Sequence, residues 1–235
     1  MIPRTDAISP VDCLREGWLL IRNRLWFFVL LVAVGLLVGS LAPLGLLLGP
    51  MACGIYAALL ARMRGEEVGL EVLLKGFEYF LPSLVATLIQ IVPIMGMAIP
   101  VNLLLALLFV KRVLEAMGSP FDAIAALLDP QMIAIVVAVS TVVLFVFSVL
   151  FGTFFMFSYP LIVERRMSGW AAVKASAAAS RENFAGAAGL MALTTALSVA
   201  GFLLCYVGGL FATPVALAAW AVAYRRVFPE STSRG

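Results

Sequence analysis

The chain has 235 residues, of which 63% are hydrophobic and only 12% charged, with a formal net charge of +3 at pH 7. An ordinary soluble domain is about one quarter charged, so this chain has too few polar groups to cover a water-facing surface. That excludes a soluble enzyme, a nucleic-acid binder and a disordered scaffold.

Absent residues narrow the field further. There is no histidine, the commonest metal ligand and general base. The three cysteines, Cys13, Cys53 and Cys205, are far apart and lack CxxC spacing. No metal and no cofactor is expected. The N-terminus, with Arg4 and Asp6, lacks a short apolar core followed by a small-residue cleavage site, so it reads as no removable signal peptide.

In chain order, Ser9-Pro10-Val11-Asp12 combines a capping hydroxyl, a first-turn proline and a carboxylate that suits the helix dipole. Val11, Leu14, Trp18 and Ile21 follow at spacings of three and four, which predicts a short amphipathic helix. Residues 25–61 are then uncharged and would extend about 55 Å as a helix, nearly twice a hydrocarbon core of about 30 Å. They must fold back, with the turn at Ala42-Pro43-Leu44-Gly45 continuing to Gly49-Pro50. A second amphipathic helix is predicted from Leu70, Leu73 or Leu74, Phe77 and Phe80.

The uncharged stretches 81–110 and 131–163 are too long for one upright span and too short for two with a turn. Kinked single spans fit, bending at Pro93 and Pro100 in the first and at Gly152 and Pro160 in the second. Between them Ser119-Pro120-Phe121-Asp122 repeats the capping signal, and Phe121, Ile124, Leu127 and Leu128 predict a short helix on the outer face. Trp170, Val173, Ala177 and Phe184 mark a third amphipathic helix. The final stretch, 184–224, is again long enough for two passes, with a turn at Tyr206-Val207-Gly208-Gly209.

Six spans put Arg4, Arg15, Arg22, Arg24, Arg62, Arg64, Lys75, Arg165, Arg166, Lys174, Arg181, Arg225, Arg226 and Arg234 on one side, against Lys111 and Arg112 on the other. Positive charge marks the cytoplasmic side. An eight-span reading keeps the same ends, but length disfavours it. The predicted fold class is therefore all-α: a polytopic membrane protein with six transmembrane helices in three hairpins, each preceded by a short cytoplasmic amphipathic helix. Both termini are cytoplasmic, and residues 1–235 form a single integral membrane domain of the bacterial cytoplasmic (inner) membrane. The amphipathic helices, the prolines of the return spans and the terminal arginine pairs recur as three units, near 9–64, 68–166 and 168–226.

Candidate site residues follow from that pattern. Arg62, Arg64, Arg165, Arg166, Arg225 and Arg226 could hold anionic lipid head groups, each worth about 1 kcal/mol near a negative surface. Trp18, Phe77 and Trp170 would sit beside them at the interface. No charge lies within the spans, and the polar residues there, Ser140, Thr141, Ser148, Thr153, Ser158, Thr194, Thr195, Ser198 and Thr213 among them, read as packing contacts. Gln90 and Asn102 are the best candidates for an intramembrane polar site. Gly35 with Gly39, and Gly45 with Gly49, permit close helix approach, more often within one chain than between two. Glu66, Glu67, Glu71 and Glu78 alternate with Lys75 as a solvated face. No HExxH, GxSxG, P-loop or paired intramembrane carboxylates occur.

Three segments carry a resemblance: Lys75-Gly-Phe-Glu-Tyr-Phe-Leu-Pro82, Tyr159-Pro-Leu-Ile-Val-Glu-Arg165, and Gly169-Trp-Ala-Ala-Val-Lys-Ala-Ser176 followed by Arg181-Glu-Asn183. Over most of its length the chain resembles a bacterial family of poorly characterised six-helix integral membrane proteins. That family includes the membrane domain fused to some glycerophosphodiester phosphodiesterases. The resemblance implies the six-helix fold and transfers no catalytic residue. The expected role is that of a non-enzymatic, lipid-interacting scaffold or accessory subunit, with anionic phospholipid and a membrane protein as partners. A small-solute or lipid transporter, with its path between the hairpins near Gln90 and Asn102, is the alternative.

Overall fold

The computed structural model describes residues 4–5, 7–42, 45–115, 130–203 and 207–229. Among them every regular element is helical: α1 (Pro10–Ile21), α2 (Leu25–Leu41), α3 (Leu48–Met63), α4 (Val72–Lys75), α5 (Phe80–Glu115), α6 (Pro130–Phe155), α7 (Ser158–Arg165), α8 (Gly169–Glu182), α9 (Phe184–Leu203) and α10 (Val207–Val227). Short 3-10 turns, Arg22–Arg24 and Gly76–Tyr79, join α1 to α2 and α4 to α5.

Four stretches are long and apolar enough to cross a bilayer: Pro10–Leu41, Val72–Pro93, Ala138–Arg165 and Phe184–Leu203. α3 has sixteen residues, about 24 Å of helix, short of a 30 Å core. The expected outer-face helix with Phe121, Ile124, Leu127 and Leu128 lies outside the described residues, as do Pro43, Leu44, Cys205 and Tyr206.

The chain forms two compact units, residues 1–89 with 149–235, and residues 90–148. The first is built around α10, which buries Val215, Ala216, Ala218, Ala219, Ala221, Val222, Ala223, Tyr224 and Val227. Alanines keep that helix thin, so neighbours approach its backbone closely. α1 does so through Gly17, where an added Cβ would lie 2.6 Å from the Ala219 nitrogen. The packed stripe of α1 is therefore Cys13, Gly17 and Ile21, while Val11 and Trp18 are exposed. Of the four apolar positions that predicted this helix, Ile21 alone is fully buried. Contact with an alanine-rich partner selects small residues rather than large ones.

α2 and α3 pack together across the predicted turn, where Gly45 takes φ +67°, a left-handed conformation that glycine adopts without strain. Gly39 lies against Leu48, and Gly49 against Ser83 and Thr87. These glycines serve packing within the chain. α6 ends at Phe155, and α7 begins only at Ser158. α8 lies across this break: Ser176 Oγ donates to the Phe154 carbonyl at 2.7 Å and accepts from the Phe157 N–H at 3.2 Å. One turn on, Ser180 Oγ donates to the Thr153 carbonyl at 2.7 Å.

In the second unit, α5 continues unbroken through Pro93 and Pro100. It exposes Val92, Ile99, Leu103 and Leu107, and α6 exposes Ile135, Val139, Val142 and Val146 at spacings of three and four. Such apolar outer faces suit hydrocarbon.

Candidate functional site

α3, α7 and α10 each deliver arginines at their C-terminal ends, where cations suit the helix dipole. Three of the six predicted head-group ligands already hold carboxylates. Arg64 Nε lies 2.5 Å from Glu66 Oε1 on the exposed loop after α3. That hydrogen bond holds the Glu66 carboxyl below its ordinary range. Arg226 pairs with Glu16 of α1 at 2.8 Å. Arg225 Nη1 meets Glu164 Oε1 at 2.5 Å, with side chains only 13% and 17% exposed, and the second oxygen of Glu164 accepts from the Tyr224 hydroxyl.

Removing one partner of so buried a pair costs about 3–5 kcal/mol, so Arg225 is a structural cation. Arg165 donates to the Pro229 carbonyl at 3.4 Å and thereby ties α7 to the chain beyond α10. Arg166 is exposed, with φ +49° where α7 ends. Among the described residues, neither Arg166 nor the half-buried Arg62 has a carboxylate partner.

Trp18, Phe77 and Trp170 are all exposed. Exposed cations flank each: Arg15 and Arg22 near Trp18, Lys75 near Phe77, and Lys174, whose Nζ sits 5.6 Å from the centre of the Trp170 ring. Arg24 similarly lies 5.9 Å from the Phe27 ring centre.

Gln90 and Asn102 do not form one site. Both lie on α5, twelve residues or about 18 Å apart along the axis and a third of a turn apart around it. Asn102 is exposed, whereas the Gln90 amide nitrogen is buried without a hydrogen-bond partner among the described residues. The other intraspan hydroxyls mostly bond back along their own helix: Thr153 to Val149, Thr194 to Leu190, Ser198 to Thr194 and Thr213 to Gly209. Ser148 has no described side chain.

A polar stripe on α8 received no role in the sequence reading. Beside Ser176 and Ser180, the buried Asn183 accepts from the Ala7 N–H at 3.0 Å and donates to the Arg4 carbonyl at 2.8 Å. It pins the segment before α1 to the start of α9. The signal was present as serines and asparagine at a spacing of four and three, but every partner is backbone, which no sequence pattern marks.

The first unit also contains a partly open cavity of 190 Å³ between α2, α3, α7 and α10. Its wall is apolar apart from Tyr56, Tyr159 and Thr213. The Tyr56 and Tyr159 rings stack at 6.4 Å, and the Tyr159 hydroxyl shares a hydrogen bond of 3.0 Å with Thr87. No family model, curated protein or solved structure matches this chain.

No group of three or more potential metal ligands occurs among the described residues. The surface instead offers two chemistries, a band of exposed cations with aromatic neighbours and an apolar cavity with hydroxyls in its wall.

Proposed function

We propose that this chain is a non-enzymatic multi-pass protein of the bacterial cytoplasmic membrane, a member of the six-helix family it resembles. It has three hairpins and cytoplasmic termini. It binds anionic phospholipid along its arginine-bearing rim and serves as scaffold or accessory subunit to a membrane protein partner. The supporting observation is the threefold neighbourhood of an exposed aromatic and an exposed cation, at Trp18, Phe77 and Trp170. Rings of this kind settle at head-group level, and cations beside them meet lipid phosphate.

Arg64, Arg225 and Arg226 are engaged by glutamates, so lipid contact falls to Arg166, Lys174, Arg181 and the Arg22–Arg24 turn. A transporter with its path between Gln90 and Asn102 has less in its favour, because α5 holds those amides apart.

The test uses full-length protein in nanodiscs of mixed phosphatidylglycerol and phosphatidylcholine, with native mass spectrometry of the retained lipid. The triple change Arg166→Gln, Lys174→Gln, Arg181→Gln is expected to cut the preference for phosphatidylglycerol by on the order of tenfold or more. An unchanged lipid ratio together with unchanged co-purifying protein would sink the reading.

A further inference from the structure

The cavity between α2, α3, α7 and α10 has a polar group with nothing to bind. Tyr56 is only 2% exposed and lines the cavity, yet among the described residues its hydroxyl has no hydrogen-bond partner. The neighbouring hydroxyls are satisfied, Tyr159 by Thr87 and Thr213 by the Gly209 carbonyl. A hydroxyl without a partner in a mostly apolar wall is a donor that an acceptor in the cavity would satisfy.

The hydroxyls of Tyr56, Tyr159 and Thr213 are the polar groups of the wall, and the remaining lining, Gly35, Leu36, Leu48, Met51, Ala52, Ile55 and Leu217, matches hydrocarbon better than water. Size points the same way: an apolar cavity of about 150 Å³ holds a benzene, so 190 Å³ takes a run of about seven chain carbons. The cavity runs along α3 from Leu48 to Tyr56, about 12 Å. On α2, the lining residue Leu36 is 43% exposed, next to the exposed Leu37, so the mouth opens on an apolar flank rather than on the arginine-bearing end.

We propose that this cavity binds the acyl chain of a membrane lipid, entering past Leu36, with its carbonyl oxygen accepting a hydrogen bond from Tyr56. The carbonyl belongs either to a phospholipid ester or to a free fatty acid, which present the same chemistry to the hydroxyl. The site shares no residue with the arginine rim and stands whether or not the rim binds head groups.

Full-length protein in phosphatidylglycerol vesicles would be photolysed with two probes in turn, a phospholipid and a free fatty acid, each with a diazirine on its acyl chain. Adducts would be mapped by peptide mass spectrometry. Labelling is expected on Met51 and Leu217 in the cavity wall, and whichever probe gives it names the source of the carbonyl. Ala52→Leu, which fills the cavity, should reduce that labelling about tenfold. Tyr56→Phe, which removes only the hydroxyl, should reduce it by about two- to tenfold. Leu36→Phe, which narrows the mouth, replaces Ala52→Leu if that variant fails to fold. The proposal is overturned if neither probe labels the wall, if a filled cavity labels as well as the native one, or if Tyr56→Phe has no effect.

Discussion

The same residue behaves in opposite ways in two parts of this molecule. α5 passes through Pro93 and Pro100 without interruption, whereas the chain leaves the helix at Met156 and Phe157, four residues before Pro160. A proline ring displaces the carbonyl four residues earlier and supplies no N–H to it. For Pro160 that carbonyl is on Met156, so the break falls where the ring demands. For Pro100 it is on Gly96, an exposed residue, and the helix continues past it.

Proline alone therefore does not decide the outcome. What differs is the neighbour, because α8 presents Ser176 and Ser180 to the backbone groups freed at the α6–α7 junction.

The largest effect should come from taking that neighbour's hydroxyls away. Ser176→Ala with Ser180→Ala leaves the Phe154 and Thr153 carbonyls and the Phe157 N–H without these partners. At about 1–3 kcal/mol for each buried orphan, the double variant should lose about 3 kcal/mol or more. Thermal unfolding in detergent would read this as a large fall in Tm, and a change indistinguishable from that of exposed surface variants would break the comparison. Ser180→Ala alone, which orphans one carbonyl, should lose about 1–2 kcal/mol.

Much of this was readable from the sequence, though not the part that explains it. Pro160 and Gly152 marked the region of the bend, and the turn expected at Ala42 to Gly45 falls where α2 ends. Ser176 lay within a quoted motif but gained no role, since serine in an alanine-rich helix reads as a small filler. Its partners lie nineteen and twenty-two residues away on backbone atoms. The same blindness applied to the rim. Six arginines looked equivalent, but Glu16 lies 210 residues from Arg226 and Glu164 lies 61 from Arg225, and only folding separates engaged cations from available ones. Tyr56 was overlooked because nothing in its local pattern distinguishes a hydroxyl facing a cavity from one facing a partner.

Replacing the prolines sharpens the comparison. Pro100→Ala restores an N–H to an unbroken helix and removes a ring, and an interior proline costs about 3 kcal/mol relative to alanine. Stability should therefore rise by about 1–3 kcal/mol in the same unfolding assay.

Pro160→Ala should do far less. Pro160 is the third residue of α7, and the N–H restored there belongs to the first turn, which lacks an intrahelical acceptor in any helix. The change in stability should stay within about 0.5 kcal/mol. Amide hydrogen exchange at Met156 and Phe157 distinguishes the two causes of the break. If α8 holds the junction open, their exchange rates keep their native values in Pro160→Ala and shift only when Ser176 is replaced. If the ring alone enforces it, Pro160→Ala lets α6 run on into α7, those amides become protected, and stability rises as it does for Pro100→Ala.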